Sequence, residues 1–301
     1  MRWLTYIDGV DVYAQYGAYL LGCEGLFGWP ELKATEVVVW PDDEGVDINL
    51  SQSCVASRKF EISFRVKDVK AVEFLDFIFS TQAKVYDIPS LGINKALRLV
   101  GCSEISVIRK LGVVTLTLTN DKPLQEYKYI EPATSIKNEH HKGVLEIDGR
   151  DITTYGCVVL AGTTSAMNAY PSVGEVLAVD INGINGERVD SDAPLVKMGR
   201  DVTIHLLLRA KDMVEFWRNY NALLYDLIRA GERSVEYIGG ISFQAYYQGQ
   251  KIEDISPPRC GGDGVWVKFC LTLTTLSPFY ILSTEDWEVV IDETATYYIR
   301  L

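Results

Sequence analysis

Residues 58–74, RKFEISFRVKDVKAVEF, and residues 200–216, RDVTIHLLLRAKDMVEF, align without a gap at a shift of 142 residues. Apolar side chains alternate in the first part of each: Phe60, Ile62, Phe64 and Val66 in one, Val202, Ile204, Leu206 and Leu208 in the other. A period of two places every second side chain on one face, which is the pattern of a half-buried strand. The spacing then lengthens to three and four. Met213, Phe216, Trp217, Tyr220, Leu223, Leu224, Leu227 and Ile228 form one apolar stripe of a helix wide enough to lie on a sheet. Asp212 can cap its first turn with Glu215 three residues on, and Gly231 can close its far end in the left-handed conformation. Val69, Val72, Leu75 and Phe79 give the shorter equivalent in the first stretch.

The likeness extends outward from these two stretches. Upstream, Ile7-Asp8-Gly9-Val10-Asp11 with Tyr16-Gly17 matches Ile147-Asp148-Gly149-Arg150-Asp151 with Tyr155-Gly156. Gly22 is followed by Trp29-Pro30 and Gly162 by Tyr170-Pro171, an aromatic–proline pair closing a loop in both cases. Downstream, Leu116-Thr117-Leu118-Thr119 before Pro123 matches Leu271-Thr272-Leu273-Thr274 before Pro278. Four matches in one order identify a tandem duplication. The polar, aperiodic run PATSIKNEHHKG, residues 132–143, separates the copies. The expected organisation is a first domain over 1–131, a linker over 132–142, a second domain over 143–284, and an acidic, aromatic tail over 285–301. Glu36–Trp40, Leu97–Ile108, Val113–Thr119, Ser242–Tyr247 and Val265–Thr274 are rich in Val, Ile, Thr and Tyr between turns and read as strands. Each domain is therefore mainly β, an α+β unit of antiparallel strands with one flanking helix.

The 301 residues suit two domains, and 48% hydrophobic with 23% charged residues excludes a disordered chain. Twenty-nine basic against 41 acidic residues give a net charge of −12, a surface that repels phosphate and disfavours sequence-reading DNA binding. No apolar run is long enough to span a membrane, and MRWLTYIDGVD lacks the apolar stretch of a signal peptide, so a soluble, unexported protein is expected. Six cysteines without a C-x-x-C pair (Cys23, Cys54, Cys102, Cys157, Cys260 and Cys270) suit reduced thiols rather than a disulfide framework.

Catalytic, cofactor and metal sites are not expected. The histidines are His140 and His141, in the linker beside Glu139, and His205, facing away from the apolar side of its strand. Adjacent histidines in an extended chain splay apart, which does not suit a metal. Nucleophile-elbow, P-loop, zinc-protease and dinucleotide-binding signatures are missing from the sequence. Cys260-Gly261-Gly262-Asp263-Gly264 precedes a strand, so it reads as a hairpin tip rather than a phosphate cradle. Asp180, Asn182, Asn185 and Glu187 could offer oxygens to calcium, but their spacing is not that of an EF-hand and a tight turn explains the same residues. The 6 Trp and 17 Tyr could stack on sugars, which makes a carbohydrate-binding β-sandwich adhesin module the alternative function. Trp29, Trp40 and Trp287 are the candidate interaction surface; the first two lie in the long segment Gly25–Ser57, where loops need not serve their own core.

The order of these signals resembles the N-terminal domain of the phage distal tail protein family. That domain has an opening strand with a G-x-D turn and an F/Y-G motif, then an arginine before an alternating strand, one helix, further strands and a terminal P-F. The second copy carries the pattern best, with Asn182-Gly183-Ile184-Asn185-Gly186 in place of the glycine-rich hairpin and Ser277-Pro278-Phe279 at the terminus. The first copy has Asp43-Glu44-Gly45 where the paired glycines would stand, so a hairpin of another shape is expected there. The resemblance implies β-sandwich domains of tail-tube type, assembled by self-association into a ring around the DNA channel of a phage or prophage tail. It implies neighbouring tail-tube and baseplate proteins as partners, passage of DNA without specific binding, no membrane, and assembly in the bacterial host cytoplasm into the virion tail. Paired tube-like domains are also similar in plan to the hub proteins of contractile tails. Either three chains supply six domains to the ring, or six chains form it with the second domains outside.

Overall fold

A computed structural model describes residues 3–33, 37–38, 47–108, 111–124, 127–173, 178–180, 182–183, 185–189, 196–256, 264–278, 282–283 and 289–290. Among them lie two seven-stranded antiparallel sheets, each drawn from one half of the chain. The first is built from β1 (Tyr6–Ile7), β2 (Val10–Asp11), β3 (Tyr19–Glu24), β4 (Arg58–Lys67), β5 (Ala83–Ile88), β6 (Ile93–Ile108) and β7 (Leu111–Asn120). The second is built from β8 (Leu145–Ile147), β9 (Arg150–Asp151), β10 (Cys157–Val159), β11 (Asp201–Ala210), β12 (Arg233–Tyr237), β13 (Ile241–Ser256) and β14 (Val265–Thr275). The orders are β2-β1-β5-β6-β7-β4-β3 and β9-β8-β12-β13-β14-β11-β10, the same path traced twice. The register repeats as well. Phe60 pairs with Leu118 as Val202 pairs with Leu273, and Ile62 with Leu116 as Ile204 with Leu271.

Each sheet bends into a β-sandwich through its longest strand. β6 pairs with β5 over Ile93–Arg98 and with β7 over Arg98–Ile108, so it belongs to both halves. β13 does the same, pairing with β12 up to Ala245 and with β14 from Ala245 onward. Register shifts follow each handover, at Leu99/Gly101 and at Tyr247/Gly249, where an extra residue increases twist. Side chains of β14 alternate strictly between buried and half-buried, as the sequence period requires. The 12-residue α2 (Asp68–Phe79) and the 15-residue α4 (Met213–Leu227) pack on β4/β7 and β11/β14 respectively. No described helix is long and apolar enough to cross a membrane. Cys23, Cys54, Cys157 and Cys270 are free thiols.

The repeated opening motif has a physical cause at every position. Asp8 and Gly9 have φ of 50° and 77°, and Asp148 and Gly149 have 52° and 71°, the geometry of a two-residue hairpin turn that matches strand twist. Each turn aspartate then clamps the neighbouring strand. Asp8 accepts from Val85 N–H (2.8 Å) and Lys84 Nζ (3.0 Å), while Asp148 accepts from Ser234 N–H (2.9 Å) and Arg233 Nη1 (2.7 Å). Asp11 and Asp151 cap the short helical turns that follow, α1 (Val12–Tyr16) and a 3-10 turn at Ile152–Tyr155. Gly156 closes its turn with φ 76°, and a Cβ there would lie 2.6 Å from the Arg209 carbonyl oxygen.

Four details differ from expectation. The stripe assigned to α2 is rotated: Ala71, Phe74 and Ile78 are buried, whereas Val72 and Phe79 are exposed. Spacing fixes a helical face but not which of two neighbouring faces meets the sheet, and here Phe64 packs edge-on against Phe74. Asp212 does cap α4, accepting from Glu215 N–H at 2.8 Å, but the Glu215 carboxylate turns to the linker instead of completing the box. Gly231 takes the expected positive φ of 84°, but it lies past the helix end and its N–H donates to Leu50 O (3.0 Å) instead of to α4. The Arg233 guanidinium collects the Asp226 carbonyl of the last turn and, beyond the helix, those of Arg229, Ala230 and Gly231. The linker is strapped along α4 rather than loose: Ser135 donates N–H and Oγ–H to Glu215 (2.9 and 2.8 Å), Ala133 N–H donates to Asn219 Oδ1 (3.0 Å), and Arg218 donates to Ala133 O. His140 and His141 are exposed in a 3-10 turn, and residues 43–45 and 260–263 lie outside the described residues. Gly183 and Gly186 take positive φ of 93° and 86°, as a tight turn between Ala178–Asp180 and Glu187–Val189 demands.

Replacing Asp148 with Ala strips the nearly buried Arg233 of its carboxylate and should cost about 3 kcal/mol. Asp8→Ala, at the more exposed counterpart, should cost about 1–2 kcal/mol. Urea denaturation of both variants checks the order.

Candidate self-association interface

Past β3 the chain leaves its own sheet. Phe27, in the turn that Gly28 N–H closes on Gly25 O, and Trp29, just past it, both reach the second copy. The Phe27 ring stacks on Trp217 at 5.4 Å and 6°, and meets Phe216 edge-on at 5.9 Å. Trp29 lies 4.6 Å from Tyr220, 5.4 Å from Phe269 and 6.2 Å from Tyr247. Aromatic groups at these separations gain quadrupole attraction beyond the area they bury. Polar contacts frame them. Gln250 Oε1 accepts from Trp29 N–H (2.9 Å), Tyr247 donates to Pro30 O (2.7 Å), Gln248 O accepts from Leu32 N–H (3.1 Å), and Trp217 Nε1–H donates to Leu91 O (2.7 Å). Lys95 sits over the outer Trp217 face at 5.3 Å.

Arg58 holds this segment from below, donating to Gly25 O, and a Cβ on Gly28 would run into its guanidinium. Burial pushes the Arg58 guanidinium down from its ordinary value, opposed by Tyr220, Tyr247 and Glu31. Arg200 does the same work in the second copy, donating to Ala166 O (2.6 Å) and Met167 O (2.8 Å). The arginine that precedes each alternating strand is thus a clasp for the loop after the third strand.

Trp29 is therefore 5% exposed and committed to its own chain, not open to a neighbouring ring or a sugar. Trp40 and Trp287 lie outside the described residues. Phe27, Trp217 and Arg58 complete the joint, and the available sequence signal for it was two large aromatics close together in a loop outside the strand and helix patterns.

The joint is made from unlike surfaces, a loop of the first copy and a helix of the second. Both have counterparts in the other copy. The loop counterpart is the segment after β10, which runs through α3 (Thr163–Met167) to Tyr170 and Val173, 60% and 53% exposed. Its base is the same: Val173 pairs with Lys197 as Leu32 bridges to Val55. The helix counterpart is α2, where the shift of 142 places Leu75 on Trp217. Leu75 is half-buried between Val72 and Phe79, 67% and 54% exposed.

Trp29→Ala should empty the joint and destabilise the chain by about 3–5 kcal/mol. Because the two sheets share this contact, urea unfolding followed by fluorescence should change from one transition to two.

Comparison with known proteins gives no family model that matches the chain and no curated protein that matches it. Among solved structures the chain is similar to the Dit protein (gp 19.1) of phage SPP1, described as a paradigm of hub adsorption apparatus in Gram-positive infecting phages. The likeness covers 46% of this chain and 51% of that one, at 17% identity and a TM-score of 0.35.

Proposed function

We propose that the chain is a structural component of a phage or prophage tail, distal-tail-like or hub-like, that forms a ring around the DNA channel by self-association. The observation that carries the proposal is the joint between the copies. Two units of one topology meet through different surfaces, loop onto helix, which is a heterologous contact; repeated by a rotation that closes, such contacts give a ring. The order of sequence motifs, read on both copies, points to the same class of protein.

In this arrangement the loop after β10 of one chain, at exposed Val173, seats on the Val72–Leu75–Phe79 face of the next, repeating between chains what Phe27 and Trp29 do within one. Three chains then supply six units. A six-chain ring with second copies outside is the competing geometry. The protein acts by shape, without catalysis, and docks on neighbouring tail-tube and baseplate proteins. Its net charge of −12 repels duplex phosphate, so DNA passes without specific binding through a hole of roughly 20 Å or more. Its destination is the virion tail, after assembly in the host cytoplasm.

Light scattering over a range of concentrations should give three times the 33.7 kDa chain mass, with annular particles in negative stain. Phe79→Asp places a charge on an exposed apolar position, so folding should survive while association weakens by roughly 30-fold or more, the scale of an interface hot spot. A mass fixed at 33.7 kDa at every concentration, or a Phe79→Asp variant that associates like the parent, overturns the proposal.

A further inference from the structure

The fold assembles a set of metal donors from three neighbouring strands of the second sheet. His205 on β11 and Cys270 on β14 are direct cross-strand partners, both on the face turned away from the core. Glu253 is the extra residue of a bulge in β13, between Ile252 and Asp254, and the bulge delivers its carboxylate to the same spot. His205 Nδ1 lies 3.2 Å from Cys270 Sγ and 3.2 Å from Glu253 Oε1, and Sγ to Oε1 is 2.8 Å.

From this geometry we infer that His205, Glu253 and Cys270 form a zinc site. Tetrahedral zinc with one nitrogen, one oxygen and one sulfur ligand spaces its donors about 3.3–3.6 Å apart. The triad has to open by a few tenths of an ångström around His205 Nδ1 and by about 0.8 Å between Cys270 Sγ and Glu253 Oε1. A thiolate with an imidazole and a carboxylate suits zinc, whereas calcium and magnesium take oxygen ligands. On binding, the Cys270 proton leaves for solvent and the thiolate, the neutral imidazole Nδ1 and Glu253 Oε1 take the metal, with water in the fourth position.

The surroundings hold the donors in place, as outer partners do in metal sites. Lys268 Nζ occupies Glu253 Oε2 at 2.6 Å and leaves Oε1 facing the triad. The His205 backbone is fixed on both sides, donating to Thr163 Oγ1 (3.0 Å) and accepting from Leu160 N–H (2.8 Å). Gly162 makes room for the ring: a Cβ there would stand 3.1 Å from Cδ2 and 3.2 Å from Nε2. Among the described residues, no other three His, Cys, Asp or Glu side chains bring their donor atoms this close.

The first copy supplies a built-in control. The cross-strand pair at the equivalent register is Ser63 with Thr115, whose hydroxyls hydrogen-bond at 2.9 Å. The same fold thus accommodates a pair with no affinity for zinc, and the double variant His205→Ser with Cys270→Thr transplants it.

The test uses the full chain, reduced and stripped with chelator, and titrated with zinc and with cobalt. One equivalent should bind, cobalt should show the thiolate charge-transfer band of a tetrahedral site, and zinc should raise the thermal midpoint. Loss of one outer partner already weakens metal sites by about 10–100-fold, so the double variant should lose more than about a hundredfold in affinity, together with the band and the thermal shift. Replacing His140 and His141 with Ala should change none of the three. A parent chain without the cobalt–thiolate band overturns the assignment, as does a folded double variant that binds zinc as tightly as the parent.

Discussion

Phe27 and Trp29 belong to the first copy by sequence and to the second by packing. Their rings fill the space between α4 and the β13–β14 half of the second sheet, so the buried side chains of both copies form one continuous core. Each copy already has a sheet, a helix and its own turn clamps, and none of these fixes the other copy. The transferred aromatics do. They place Trp217 under Leu91 and Lys95, bury Arg58, and draw Gln248 and Gln250 into contact with the backbone of the crossing segment. The joint is mainly apolar, and two polar atoms within it, Trp29 Nε1 and Arg58 Nη1, are buried without a hydrogen-bond partner.

The duplication was legible because its constraints are local. Asp8-Gly9 and Asp148-Gly149 sit where both central residues of a hairpin turn need positive φ, and few other dipeptides serve. Alternation in Phe60–Val66 and Val202–Leu208 translated directly into burial, and the sequence alignment of Leu116–Thr119 with Leu271–Thr274 reappeared as ladder register. The copies even conserve the irregular Leu32–Val55 and Val173–Lys197 pairings outside the main sheets.

What remained illegible depends on contacts distant in sequence. The Trp29-Pro30 pair announced a loop, but its partners lie about two hundred residues on. The α2 stripe was misplaced because Val72 and Phe79 are as apolar as Phe74 and Ile78, and only the sheet chooses between them. Glu215 reads as half of a capping box until Ser135 is brought beside it. The cluster at His205 was hidden for a different reason. Cys270 follows from strand pairing, but Glu253 reaches them only as the extra residue of a bulge, and no pattern in the sequence announces that bulge.

α4 is gripped on two sides. Phe27 and Trp29 hold it at Phe216, Trp217 and Tyr220, while the linker holds it at Glu215, Arg218 and Asn219, with Tyr129 reaching Asp226 at 3.1 Å. These residue sets fall on different faces of the helix, so swivelling one sheet against the other would have to break both grips at once. The chain consequently carries a fixed angle between its halves as a covalently tethered template. Curvature in anything built from it is preset before a second molecule arrives.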